Sequence, residues 1–168
     1  MNRMTNMQDV KLGVVGVSRD CFPIELTRTR LGRVAEACAR ENLPVAVCET
    51  VVETESDATA ALGELRDKGV NALVLYLGNF GPEGPTTILA RDAGLPFMLC
   101  GAAEESRDSL IEGRGDAFCG MLNACLNAGL RGLRPHVPAR PVGLPDDVAG
   151  MIRGFLPVAR VAIGIRRL

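Results

Sequence analysis

Residues 71–77 read NALVLYL, and the assignment of this stretch decides the fold. After Asn71 the run is apolar without alternation. A strand with one face in water alternates polar and apolar side chains, whereas a strand covered on both faces reads as a continuous apolar run. The stretch is therefore read as a strand buried between two layers. Outward from it, KLGVVGV (11–17), PVAVCETVV (44–52) and LPFMLC (95–100) read as further strands.

Helical spacing fills the gaps between them. Over 24–41, Ile24, Leu31, Val34, Ala35 and Cys38 fall on one face. Arg30, Arg33, Glu36 and Arg40 fall elsewhere, with Glu36 and Arg40 an i,i+4 pair. Thr54 or Ser56 can cap a helix that buries Ala58, Ala61, Leu62 and Leu65 and ends at Gly69. Pro85 suits the first turn of a helix through Ala93, closed by Gly94. Residues 101–115 form a long connection with a short helical turn expected around Ser109–Ile111. Asp116 then caps a helix over 117–131. PHVPARPV (135–142) is extended, and Pro145, Asp146 and Asp147 open a last helix, which Pro157 would kink.

Strands alternating with helices give a parallel sheet with helices on both sides. Right-handed crossovers then make one doubly wound α/β domain, a Rossmann-like or flavodoxin-like three-layer sandwich with strand order 2-1-3-4-5. Residues 1–10 read as a disordered tail, 11–143 as the Rossmann-like domain, and 144–168 as a C-terminal helix leading to a following domain. The apolar Val161, Ile163 and Ile165 near the end have no obvious cover, which is the reason for expecting that domain.

Composition narrows the function. The 168 residues hold 19 Lys+Arg against 20 Asp+Glu, with no basic stripe, so no nucleic-acid partner is expected. No run is read as long enough to span a bilayer, and the start lacks the apolar stretch of a signal peptide. A cytoplasmic location without membrane contact follows as the expectation. Cys21, Cys38, Cys48, Cys100, Cys119 and Cys125 contain no CxxC, and most lie in apolar segments, so a disulfide framework is not expected. His136 is the one histidine and has no spaced partner, a poor basis for a metal site. The dinucleotide fingerprint and the P-loop are missing. Ser18-Arg19-Asp20-Cys21-Phe22-Pro23 is a poor flavin-phosphate loop. A phosphorylatable receiver would need a late lysine, but the chain has only Lys11 and Lys68.

Open parallel sheets bind ligands beyond the carboxyl ends of their strands, where the strand order reverses. That rule brings together the loop Ser18-Arg19-Asp20, the loop Gly78 to Glu83 and the loop Gly101–Glu105. Phe80 then has two readings: a flat face for a ligand, beside an Asn79 donor and acceptor and an Arg19 charged fork, or a plug that folds back over the sheet end. Arg19 likewise either reaches a ligand or pairs with Asp20 or a helix carboxylate. Cys21 and Cys100 sit at strand ends, where a nucleophile is conceivable, but no histidine is placed to activate either. The 117–131 helix is apolar nearly all round, which reads either as a hydrophobic core helix or as one whose outer face calls for a second subunit, a further domain or the long loop.

Three stretches together carry a resemblance: KLGVVGVSRD (11–20), LVLYLGNFGPE (73–83) and GDAFCGMLNACLNAGLRG (115–132). The chain resembles the N-terminal domain of the L-fucose/L-arabinose isomerase family, in its fucose isomerase-like branch. The resemblance implies part of a cytosolic aldose–ketose isomerase, manganese-dependent and assembled as a trimer or hexamer, with the sugar bound at a subunit interface. It implies that Ser18, Arg19, Asn79, Phe80 and Glu83 contribute to the sugar site. The family's metal ligands lie in later domains. This chain is therefore expected to supply substrate-site loops and oligomer contacts, with no metal, no cofactor and no catalytic residue of its own. The alternative is a free-standing flavodoxin-like module that binds a small polar ligand.

Overall fold

The computed structural model describes residues 8–105 and 113–166. The element order is β1 (Leu12–Val17), α1 (Ile24–Arg40), β2 (Val45–Val47), α2 (Glu55–Asp67), β3 (Ala72–Leu77), α3 (Glu83–Ala93), β4 (Phe97–Ala102), α4 (Ala117–Leu130), β5 (Val142–Gly143) and α5 (Pro145–Ile165). The strands form one five-stranded parallel sheet in the order β2-β1-β3-β4-β5. The fold is thus the doubly wound α/β domain expected from the sequence.

Every residue of β1, β3 and β4 is buried. Leu73, Val74, Leu75 and Leu77 face the two helical layers alternately, which is why the run shows no polar period. Each such side chain contributes roughly 1.5–3 kcal/mol by leaving water. On one face α1 packs against α5; on the other, α2 packs on α3 and α3 on α4. His136 extends the far side of the sheet, donating its N–H to the Phe97 carbonyl (2.8 Å) and accepting from the Leu99 N–H (3.0 Å). Its ring stacks on Phe155 of α5, with centroids 5.4 Å apart.

Local signals account for most boundaries. Thr54 and Asp57 form a reciprocal capping box at the start of α2, and Gly69 and Gly94 adopt positive φ after α2 and α3. Four expectations need correction. The second strand is short: the amides of Glu49 and Thr50 turn from the sheet to the Glu64 carboxylate (2.8 and 3.0 Å), and the chain rejoins β1 only at the Val17–Val52 bridge. Arg40 pairs with Asp146 of α5 (2.5 Å) rather than with Glu36. Asp116 does not cap α4 through its side chain; it adopts φ 52° and gives its carboxylate to Arg114.

The fourth correction concerns length and apolarity. α5 runs unbroken through Pro157 and is long and apolar enough, by composition, to cross a membrane. Its Val148, Ala149, Ile152, Phe155, Ala159 and Ile163 are nevertheless buried in the domain, so in this fold it serves as a layer of the sandwich.

Residues 1–7 of the expected tail, and the expected turn at Ser109–Ile111, lie outside the described residues. Within the described part of that tail, Asp9 accepts a hydrogen bond from Asn71 (2.9 Å), and Val10 packs against the core.

Glu64 is a measurable anchor. Burial opposes its ionisation, but hydrogen bonds from the Thr50 hydroxyl, the Glu49 and Thr50 amides and the Cys48 thiol outweigh it and hold its pKa at about 2. A carboxylate with a depressed folded-state pKa stabilises above its unfolded value, near 4.3, and that contribution fades as pH falls through the folded value. Glu64→Gln should cost on the order of 2–3 kcal/mol at pH 7. The gap from the parent protein, read by urea denaturation, should close between roughly pH 4.3 and pH 2. A gap independent of pH would refute the assignment.

Candidate functional site

The sheet order reverses between β1 and β3, and the loops leaving these strands meet there. What joins them is the side chain of Asn79, which is fully buried. Its Oδ1 accepts from the backbone N–H of Arg19 (2.8 Å) and of Gly81 (3.2 Å). Its Nδ2 donates to Ser18 Oγ (2.9 Å), and the equally buried Ser18 hydroxyl donates to Glu53 (2.8 Å). One amide therefore satisfies loop N–H groups that no strand partner reaches.

Two glycines admit this knot. A Cβ on Gly78 would lie 2.7 Å from Thr27 Cα of α1, and one on Gly120 of α4 would lie 1.9 Å from the Phe80 carbonyl oxygen. The β3–α3 loop is thus gripped from both helical layers.

Above the knot sits a second, more open tier. Arg19 Nη1 donates to Glu83 Oε1 at 2.5 Å, and its guanidinium carbon lies 5.3 Å from the centre of the Phe80 ring, in cation–π range. Phe80 stacks on Phe22 with centroids 6.5 Å apart and planes 7° apart. Glu83 also accepts from Asn123 Nδ2 of α4 (2.6 Å). The hydrogen bond from Arg19 is the main reason that Glu83 is held below the ordinary carboxylate pKa, with Asn123 adding to it. Asn127 donates to Asn123, and Arg131 to Asn127 (2.9 and 3.0 Å), so a polar ladder leads from the site along α4.

All five residues singled out in the sequence therefore meet, but in two tiers. Ser18 and Asn79 are interior and hold the loops, whereas Arg19, Phe80 and Glu83 form the accessible surface. Of the two readings of Arg19, the structure shows the pairing with a helix carboxylate, while the half-buried Phe80 ring lies against the Arg19 guanidinium and the Phe22 ring. Phe22, Asn123, Arg30 and Glu104 were not singled out.

Arg30 was expected on an outer face but is buried. It donates to the Gly78 carbonyl (2.7 Å), to Glu104 (2.8 Å) and to the Gly113 carbonyl (2.9 Å). Glu104 in turn accepts from the N–H groups of Gly115 and Asp116 (2.9 and 3.0 Å). The signals were present: Arg30 is three residues from Thr27 and four from Val34, on the buried stripe of α1, and Asn123 is one of two polar interruptions in an apolar helix.

The carboxylates here do not make a metal site. Glu83 is engaged by Arg19 and Asn123, Glu53 by Ser18, and Glu104 by Arg30 and two amides. Among the described residues, no group of three or more His, Cys, Asp or Glu comes together. The manganese implied by the resemblance therefore finds no fitting donor set in this part of the protein. Cys100 is enclosed in β4, where burial pushes its thiol up to about 12, too high for a nucleophile near neutral pH. Cys21 is exposed in the Arg19 loop. The crevice between Phe80, Glu83, Gly120 and Asn123 is too tight to admit a water molecule, so the site is an open surface with one wall.

Compared with known proteins, the chain matches the family model described as fucose/sulfoquinovose isomerase, N-terminal domain, over residues 13–166. No curated protein matches it.

The buried knot has a stability signature. Asn79→Ala strands the Arg19 and Gly81 N–H groups, and unmade buried hydrogen bonds of this kind cost about 2–4 kcal/mol in total. Chemical denaturation should show that loss. Phe80→Ala, which touches only the outer tier, should cost visibly less. Equal costs would contradict the two-tier arrangement.

Proposed function

The chain belongs to the family of fucose/sulfoquinovose isomerase N-terminal domains, and on that premise we propose that it supplies one wall of a sugar site whose reacting centre lies outside residues 13–166. The observation that carries this reading is the outer tier: an aromatic pair, a guanidinium and a carboxylate held together at the strand-order reversal.

The chemistry of an aldose suits that surface. The Phe80 face takes the C–H side of a sugar by apolar contact, and the free edges of Arg19 and Glu83 hydrogen-bond its hydroxyls. Aldose–ketose isomerisation moves a proton between neighbouring carbons, which needs a base with a pKa near the working pH. Glu83 is held in the opposite direction by Arg19. Its role is therefore to bind and orient, and the proton is moved elsewhere. A bound metal would polarise the carbonyl and hydroxyl oxygens of the open-chain sugar, as in metal-assisted enolisation generally. The charge of Arg19 is matched by Glu83, so this wall suits an uncharged deoxy sugar better than a sulfonated one.

Oligomer contacts form the second half of the proposal. One side of α4 is buried through Ala117, Gly120, Met121, Ala124 and Ala128. On the other, Phe118, Leu122, Leu126 and Leu130 are each more than half exposed. Large contiguous apolar surfaces of this kind mark interaction sites, and this one starts beside Glu83 and Phe80. We assign it to contact with the remainder of an assembled isomerase.

Two measurements test the reading. In the isomerase that carries this domain, Phe80→Ala should raise KM for an uncharged aldose about tenfold, a loss of ~1.4 kcal/mol, with little change in Tm. An unchanged KM would remove the sugar wall. Leu122→Glu with Leu126→Glu should shift sedimentation of that enzyme towards smaller species, and unaltered sedimentation would remove the contact role of α4.

A further inference from the structure

At the opposite edge of the sheet, where the strands begin, a hollow of about 300 Å³ opens between α3, the entry to β4, the segment after α4 and the end of α5. Arg91, Arg134 and Arg166 line it, together with Leu95, Pro96 and Leu133. We propose that this hollow binds the phosphate group of a small phosphomonoester.

Charge favours an anion here. Arg91 gives Nε and Nη2 to the neighbouring Asp92 carboxylate (2.6 and 3.1 Å). Arg166 spends one N–H on the Gly94 carbonyl and, among the described residues, has no carboxylate partner. Arg134 makes neither a hydrogen bond nor an ion pair among the described residues. Among the described residues, the three guanidinium groups thus meet one carboxylate, that of Asp92, in a chain whose formal net charge is -1. Glu55, felt by Arg91, and Arg66, felt by Asp92, lie just outside and offset one another.

The shape of the hollow favours one too. The arginines come from three segments that are distant in sequence, and they converge on one concavity instead of spreading over a convex surface. Guanidinium forks match tetrahedral oxyanions in a way that lysines or a single helix end do not. The volume exceeds that of a bare phosphate and sits at the small end of the range for ligand pockets. The apolar side chains of Leu95, Pro96 and Leu133 give a short organic moiety something to pack against. Three arginines without a stripe or stacking aromatics do not make a nucleic-acid track.

The hollow is separate from the sugar wall. The six residues of β4 put roughly 20 Å between the two edges of the sheet. α3 connects them, carrying Glu83 at its start and Arg91 in its last turn.

The test is calorimetric titration of the whole chain at low ionic strength, first with inorganic phosphate, then with glycerol 3-phosphate, then with acetate. Phosphate should saturate, and glycerol 3-phosphate should bind at least as tightly. Acetate should bind at least tenfold more weakly than either. Arg134→Ala combined with Arg166→Ala, two exposed positions, should weaken phosphate binding at least tenfold, whereas Arg19→Ala should leave it unchanged. Non-saturating heats, or binding that survives the double substitution, would overturn the proposal. So would an ester that binds more weakly than inorganic phosphate. Loss of phosphate binding in Arg19→Ala would move the anion to the sugar wall and overturn the hollow as its site.

Discussion

A buried amide holds this site together. Where a doubly wound sheet reverses its strand order, two neighbouring loops leave in opposite directions, and their first N–H groups lose the strand partners they would otherwise have. Left unpaired in a dry place, each would cost about 1–3 kcal/mol. Asn79 answers two of them with one carbonyl oxygen and uses its NH₂ to recruit Ser18, which reaches Glu53. The crevice that the topology makes available for a ligand is, at its floor, already occupied by the protein's own side chain. Only the tier above it is open.

Arg30 extends the same logic at higher stakes. A buried guanidinium is stabilising only when its donors and its charge are met, and removing one partner of such a pair is far more costly than the pair is worth. Glu104 and the carbonyls of Gly78 and Gly113 meet most of the requirement, while Arg30 Nε and the nearby Thr27 hydroxyl find no partner among the described residues. The ends of β3 and β4 and the connection into α4 are therefore fixed to α1 by one side chain. The outer residues Arg19, Phe80 and Glu83 therefore stand on a base that resists deformation.

Much of this was legible in the sequence, for reasons that differ from element to element. The β3 run announces a strand covered on both faces because burial on two sides removes the polar period, and the alternation of strands and helices does the rest. The length of β2 was not legible, because Glu64, 14 residues beyond Thr50, captures the amides that would have continued it. Composition also misleads for α5, where a soluble core layer and a membrane span look alike until its buried stripe is seen against the sheet. That Ser18, Arg19, Asn79, Phe80 and Glu83 come together was legible because topology alone brings their loops together. Their division into interior and surface could not, since it depends on which way each short loop turns. Phe22 escaped notice because only the folded loop lays its ring on Phe80.

Glu83 links the two halves of the functional reading. One oxygen accepts both from Arg19, in the outer tier, and from Asn123, on the helix whose outer side is apolar. Asn123 is held in turn by Asn127 and, through it, by Arg131. A rotation of α4 would pull Asn123 from Glu83 and loosen the Arg19 fork over Phe80. Because Gly120 lies against the Phe80 carbonyl without room for a methyl group, α4 also cannot shift toward the sheet without moving the aromatic ring. The orientation of the Arg19–Phe80–Glu83 tier and the position of α4 are thus one mechanical variable. A surface covering Phe118 and Leu122 would fix α4 and with it Asn123 and Gly120, so the proposed contact face and the proposed sugar wall share a single carboxylate and a single glycine.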